Sequence, residues 1–384
     1  MEIVIVGAGP VGCYTAQLLK KSGIKARLIE EHNEVGKPIK CAGIVGRQVF
    51  EDILLNIGKS SIINQINGAL FFYGDDNFQI ERERVAYVID REKFDKELSK
   101  GLDVEFCTKL LEIEKIGRGY RLKTNCDEIY ADVVIGADGP KSRVRRFMMR
   151  ELGREQKNKD DLKEKIKDSI KYYNGWQYRI KLEKGLPLGK IARVYMREGI
   201  PFFIWTIPES EEIIRLGVIS ENGKNRLDHF IAVSKIQGEI IDKLAGIIPL
   251  GLVQQTSDKN IAVVGDAACQ IKPLTGGGIY YGLKSAEILA ECIRKNNLKE
   301  YDQRWKSKFG KEIRLGLWAR KIYERLNRNE LKDIFWLFKE NAEFIERMAN
   351  FENHSIIFRK AFKNPKIFIE AGKILGRNIG KILF

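Results

Sequence analysis

The residues Gly7-Ala-Gly-Pro-Val-Gly12 set three glycines at GxGxxG spacing directly behind the apolar run Ile3-Val-Ile-Val6, and Glu30 follows 18 residues after Gly12. Glycines there let main chain turn tightly against a pyrophosphate, and the helix they open aims N–H groups at its charge. A carboxylate about 20 residues further on, at the end of a second strand, accepts hydrogen bonds from ribose hydroxyls. The pattern therefore implies a bound dinucleotide. Two more acidic residues follow apolar runs, in Ala137-Asp138-Gly139 and Gly265-Asp266-Ala267-Ala268. Taken singly, each aspartate is equally a helix cap. Six cysteines form no CxxC, and the three histidines are far apart. That predicts no metal site, no disulfide framework and no Cys/His or Ser/His hydrolase. The chemistry is expected to come from a cofactor.

These residues need a scaffold. Met1 to Glu34 reads as a strand–helix–strand unit, with Gly23 as the helix stop and Lys25 to Glu30 as the second strand. A helix around 47–57 and an irregular stretch follow. Then come a helix at 91–98, strands near Val104 and Tyr120, and the buried-type run Ala131 to Gly136. Residues 151–170 carry 12 charges, six of each sign, and read as a solvated helix or linker. Four strand-like runs (176–182, 190–196, 201–207 and 213–219) predict an antiparallel sheet. Ile261-Ala-Val-Val264 returns to parallel-strand character, and the chain beyond Gly282 reads as helical. The expected fold is mixed α/β. A discontinuous Rossmann-like domain would span 1–150 and 255–295, an antiparallel-sheet substrate domain 171–254, and a basic helical region 296–384.

The 384 residues carry a net charge of +15, and the stretch from Gln303 to Phe384 holds 19 Lys/Arg against 9 Asp/Glu. A basic surface attracts phosphate, in nucleic acid or in anionic lipid. No nucleic-acid-reading motif accompanies the charge, so lipid headgroups or acidic partners are the expectation, and nucleic acid is not. No apolar run approaches the ~20 residues that span a bilayer, and Met1 leads straight into a strand. The chain is expected to be cytoplasmic, with peripheral docking on the inner face of the membrane. From Ser355 to Phe384, seven Lys/Arg and one acid alternate with apolar residues, and Pro365 breaks the stretch in two. The second piece, Lys366 to Phe384, has the composition of a helix lying in a membrane interface.

The run from Gly136 through Ala137-Asp138-Gly139-Pro-Lys-Ser-Arg-Val-Arg-Arg146 resembles the GADGxxSxVRR element of the FAD-dependent p-hydroxybenzoate-hydroxylase-like superfamily, and Gly265-Asp266 resembles its GD motif. Within it, Gly36-Lys-Pro-Ile-Lys-Cys-Ala-Gly-Ile-Val45, Ile89-Asp-Arg-Glu-Lys-Phe-Asp95 and Lys272-Pro-Leu-Thr-Gly-Gly-Gly-Ile-Tyr-Tyr-Gly282 are similar to three elements of archaeal geranylgeranyl reductases. That family's YxWxFP motif is met by Phe203-Ile-Trp205-Thr-Ile-Pro208 before Gly217, with the tyrosine and the phenylalanine replaced. The exact lipid is left open by that departure.

The resemblance implies FAD held by Gly7, Gly9, Pro10, Val11 and Gly12 at the pyrophosphate and by Glu30 at the ribose. It places Arg91 near the phosphates, Leu110 near the adenine, and Cys41, Ala42 and Ile44 along the flavin. Asp266 falls on the ribityl chain, and Gly278 and Ile279 on the N1–O2 edge. Cys41 is also the candidate catalytic residue. Phe203, Trp205, Pro208 and Gly217 are the candidate substrate residues, with Phe202 added to the wall. The implied activity is reduction of geranylgeranyl chains in membrane-lipid precursors. The alternatives are a flavin monooxygenase acting on a hydrophobic substrate and a non-catalytic electron-transfer flavoprotein. One nucleotide fingerprint leaves no second Rossmann domain for NADPH. Electrons would arrive from a ferredoxin-like protein, from transient NAD(P)H contact or from reduced flavin.

Overall fold

The computed structural model describes residues 1–55, 57–155, 170–184, 189–234 and 236–357. Most of the charged stretch after Glu151 and all of the basic stretch from Lys366 to Phe384 lie outside the described residues.

Short apolar runs make the first sheet. Its strands are ordered Ser257–Asp258, Ile261–Val263, Val133–Gly136, Ile3–Val6, Arg27–Ile29 and Val104–Glu105, parallel except for the first. Both faces are covered, as a parallel sheet requires. Ile3 and Ile5 pack toward the helices Pro10–Lys21 and Ile279–Arg294, with Tyr14, Leu19, Leu283 and Leu289 in that core. Val4 and Val6 face the opposite core, built from the three-stranded sheet 110–131 and the helix Arg143–Glu155. The register brings Gly7, Glu30, Ala137 and Val264 together at the carboxyl ends of four neighbouring strands. Ligands of open parallel sheets bind at that edge.

The second sheet has eight strands, ordered Gly238–Leu250, Lys171–Leu182, Ile213–Ile219, Ile204–Pro208, Ile191–Tyr195, Ile62–Tyr73, Asp76–Ile89 and Ile44–Gly46. The four strands expected from sequence are all present. Two differences stand out. The stretch expected to be irregular forms the long hairpin Ile62–Tyr73 and Asp76–Ile89, which joins the sheet through a parallel pairing with Ile191–Tyr195. In place of the helix at 47–57 there is one turn, Gln48–Glu51. The hairpin's alternation is broken by register shifts near Asn64 and Gly68, by Arg84 in the left-handed region, and by four consecutive charges at 81–84. The sheet is therefore mixed and draws three strands from 44–89.

Its two faces differ. Ile214, Leu216 and Val218 pack with Tyr178 and Ile180 under the helix Gly223–Ser234, whose Leu227 and Phe230 are buried. Arg215, Gly217 and Ile219 alternate onto the other face, toward the cofactor half. Helices Glu300–Trp305, Lys311–Tyr323, Arg328–Glu340 and Ala342–Met348 follow. No described helix is long and apolar enough to cross a membrane.

Candidate functional site

The glycine loop is a cradle with one open side. Gly7 has φ +100°, and a Cβ there would lie 2.5 Å from the Ala137 carbonyl oxygen. A Cβ at Gly12 would overlap the Gly7 carbonyl oxygen. At Gly9 a Cβ would meet nothing within 4 Å, so this is the side left clear for a ligand. Pro10 begins the helix, where its missing N–H costs nothing, and Val11 packs against Gly265 and Gly282. Glu30, 8 % exposed, accepts hydrogen bonds from the Ala8 N–H (2.7 Å) and the His32 N–H (3.0 Å), with His32 Nδ1 at 2.5 Å. Its carboxylate is thus pinned beside the loop. His32 is a partner that the sequence reading did not name.

Asp266 lies in a 3₁₀ turn beyond strand Ile261–Val263, half-buried, and a Cβ on Gly278 would come within 2.9 Å of its Oδ1. Burial pushes its carboxyl up to about 6, against the pull of Arg91 and Arg145. Gly278 caps the helix Ile279–Arg294, so the unpaired N–H groups of that helix's first turn open beside Asp266. Arg91 donates to both oxygens of Asp95 (3.1 and 2.9 Å). Burial opposes its charge, while Asp95 and then the nearby Cys41 sulfur favour it. Asp138 accepts the Arg143 and Val144 N–H groups and caps a helix. Arg145, 1 % exposed, bonds the carbonyls of Ala267 and Pro140 and the Tyr172 hydroxyl, tying the two aspartate turns together. Leu110 is buried in the core with Ile29 and Val6, two residues after Thr108, whose N–H donates to the Glu30 carbonyl at 2.8 Å.

The segment Lys40–Gly43 crosses the inner face of the second sheet. A Cβ on Gly246 would fall 2.5 Å from the Lys40 carbonyl oxygen, so the backbone rides directly over that glycine. Arg215 fixes the next turn by donating to the carbonyls of Ala42 (2.9 Å), Gly43 (3.2 Å) and Ile89 (3.2 Å) while pairing with Glu209 at 2.8 Å. Glu209 also binds Arg179, and the two guanidiniums hold its carboxyl below the usual range against burial. Cys41 is free and half-buried, and Ile44 begins the strand that pairs with Val88.

Trp205 lies flat on Gly217, where any Cβ would overlap the indole, and its Nε1–H donates to Gln177 Oε1 at 3.0 Å. Phe203 meets it edge-on at 6.2 Å. Pro208 is placed differently, and Phe202 is buried in the core that Phe203 and Trp205 border. Pro208 sits on the opposite sheet face, in register with Ile214, because it is three residues from Trp205 on a two-residue repeat. Phe202 is fully buried, against Tyr173 and under the Arg320 guanidinium at 3.5 Å.

The C-terminal helices contribute residues that no local motif marks. Arg320 donates to the carbonyls of Pro201, Pro273 (3.1 Å) and Leu274 (2.5 Å), and burial lowers its guanidinium to about 10. It joins the Phe202–Phe203 turn to the loop Lys272–Gly278. The Lys272 side chain pairs with Glu352 at 2.9 Å, and both are 5 % exposed. These contacts span 46 to 119 residues of sequence, and only the folded register brings them together.

Residues 1–56 match the family described as FAD binding domain. The chain is 29% identical to an uncharacterized protein of Methanocaldococcus jannaschii, over 95% of this chain and 96% of that one. It is 28% identical to the digeranylgeranylglycerophospholipid reductases of Methanococcus vannielii and of M. jannaschii, in each case over 90% of this chain and 92% of the relative. Its fold is that of a geranylgeranyl bacteriochlorophyll reductase-like protein from Thermoplasma acidophilum, with TM-score 0.75, 24% identity, and 97% and 98% of the two chains covered. HpxO from Klebsiella pneumoniae, solved with FAD and uric acid, shares the fold at TM-score 0.67 and 17% identity, over 90% of this chain and 95% of that one. The cofactor is FAD, and the likeness to geranylgeranyl reductases read from short motifs extends over nine-tenths of the chain.

Proposed function

We propose that this protein is an FAD-dependent reductase that saturates double bonds of geranylgeranyl chains in membrane-lipid precursors. The observation that carries the reading is the likeness to two digeranylgeranylglycerophospholipid reductases over nine-tenths of both chains. When bound, FAD supplies the hydride equivalent that an isolated alkene needs. The protein's share is placement. The loop Gly7–Gly12 and Glu30 hold the adenosine half, and Asp266 takes the ribityl chain. The N–H groups at Gly278 and Ile279 face the edge where negative charge resides on reduction. Arg215 and Gly246 set Cys41, Ala42 and Ile44 along the ring system. Phe203 and Trp205 line an apolar wall that excludes water from the alkene. M. jannaschii holds both a named reductase and a second protein more similar to this chain, so the headgroup carried by the prenyl chain is a property of this branch to be measured.

Electrons are supplied by an external donor: a ferredoxin-like protein, NAD(P)H or reduced flavin. The lipid is met at the inner face of the membrane, where the basic C-terminal stretch docks reversibly. Anaerobic single turnover of the reduced holoprotein with a geranylgeranyl lipid tests the activity. A mass gain of about two units per bond is expected. An oxygen-dependent gain of one oxygen atom would replace the reductase by a monooxygenase.

A further inference from the structure

The segment Asn350–Ser355, after the last described helix, is bound into the site from three sides. The Gly46 N–H, next to Val45 on the strand that leaves Cys41, donates to Glu352 Oε1 at 3.1 Å. The Tyr281 hydroxyl, on the helix that Gly278 caps, donates to the Glu352 carbonyl at 2.8 Å. Lys272, at the head of the glycine loop, pairs with the Glu352 carboxylate and donates to the Phe351 carbonyl at 2.7 Å. A buried ion pair carries a desolvation cost that its own attraction barely offsets. Its distinctive contribution here is geometric, since it fixes one short segment against both cofactor-side loops.

That fixing sets one ring. Phe351 is half-buried beneath the Lys272 ammonium, 4.2 Å from its centroid, and a Cβ on Gly46 would lie 2.9 Å from its Cδ1. It packs on the apolar patch Ile66, Ala86, Val88 and Ile207, which Trp205 and Ile44 also touch. Trp205 belongs to the expected substrate wall and Ile44 to the expected flavin lining. Phe351 therefore joins the two surfaces where a chain would lie. Resting on the reductase reading, we propose that Phe351 is a wall residue of the prenyl-chain channel that selects which chain the site accepts. Lys272 and Glu352 are its positioning residues.

Farnesol and geranylgeraniol, prenyl alcohols of different length, serve as probes, titrated into oxidised holoprotein and read as perturbation of the bound FAD absorption spectrum. Wild type is expected to bind the longer chain more tightly. Phe351→Ala should change the ratio of the two affinities by about tenfold, the scale on which apolar pockets discriminate chain units, with FAD occupancy retained. Phe351→Leu, which keeps more volume, should give an intermediate ratio. Glu352→Gln and Lys272→Met should shift the ratio in the same direction as Phe351→Ala, whereas Lys272→Arg should keep most of the wild-type value. An unchanged ratio in both Phe351 variants overturns the proposal while leaving the reductase reading in place. A yellow, folded wild type that binds neither alcohol overturns both.

Discussion

Asp266 is the residue with the clearest conflict between stability and use. Its carboxyl is raised from an ordinary 3.8 to about 6 by burial. Between those two values the folded chain keeps a proton that the unfolded chain has released, so stability falls as pH rises through the window and stays lower above it. Asp266→Asn should therefore stabilise the cofactor-free protein at pH 7 by about 1–3 kcal/mol, with no gain at pH 3.5. The same change should weaken FAD retention, since the position faces Gly278 and its helix. Thermal melts at the two pH values, with and without FAD, check both halves. Arg320 is the opposite case, a charge whose bonds to the Pro201, Pro273 and Leu274 carbonyls hold two loops. Arg320→Met leaves those acceptors without a donor and should cost roughly 3 kcal/mol in denaturant unfolding. Glu30→Ala should lower FAD affinity by about 1–3 kcal/mol, measured by equilibrium dialysis. Equal retention would remove Glu30 from the site.

Elements explain which parts of this site were legible in the sequence. The nucleotide half was, in that the structure sets Gly7, Glu30 and Asp266 one to three residues after short buried strands of one sheet. Glycine, Asp266 and Glu30 are marked by chain position alone. The four strands from 176 to 219 were legible for the same reason, as compact apolar runs. The hairpin 62–89 was not, because charges and a left-handed Arg84 interrupt its alternation. Nor was the role of Arg215, a lone cation within an apolar strand whose carbonyl acceptors lie 126 to 173 residues away. Pro208 falls on the other face from Trp205, which motif proximity does not reveal. Sheet geometry makes its own prediction at Gly246, where an added Cβ meets Lys40 backbone rather than a movable side chain. Gly246→Val should displace the Cys41 segment and alter the visible spectrum of bound FAD. Gly117→Ala, at an open turn, should leave the spectrum as in wild type.

At the scale of the whole molecule, charge and connectivity set behaviour. The surplus of ten positive charges beyond Gln303 predicts association with anionic vesicles that declines with salt and is lost on deletion of residues 366–384. Co-sedimentation decides this, and binding indifferent to salt counts against docking. Connectivity acts on a different axis, that of time. Ile3–Val6 leaves the ribosome well before its partners, for it pairs with Val133–Gly136, whose far edge is taken by Ile261–Val263. At ~5–20 residues per second, those partners emerge tens of seconds apart. Through that interval a growing chain carries an apolar strand edge with nothing to close it, and edges of that kind recruit other chains. Truncation before residue 261 should therefore yield aggregated product even though the glycine loop and Glu30 are intact. The nucleotide fingerprint is written between Gly7 and Glu30, but the cleft it belongs to comes into being only after Ile261–Val263 has been made.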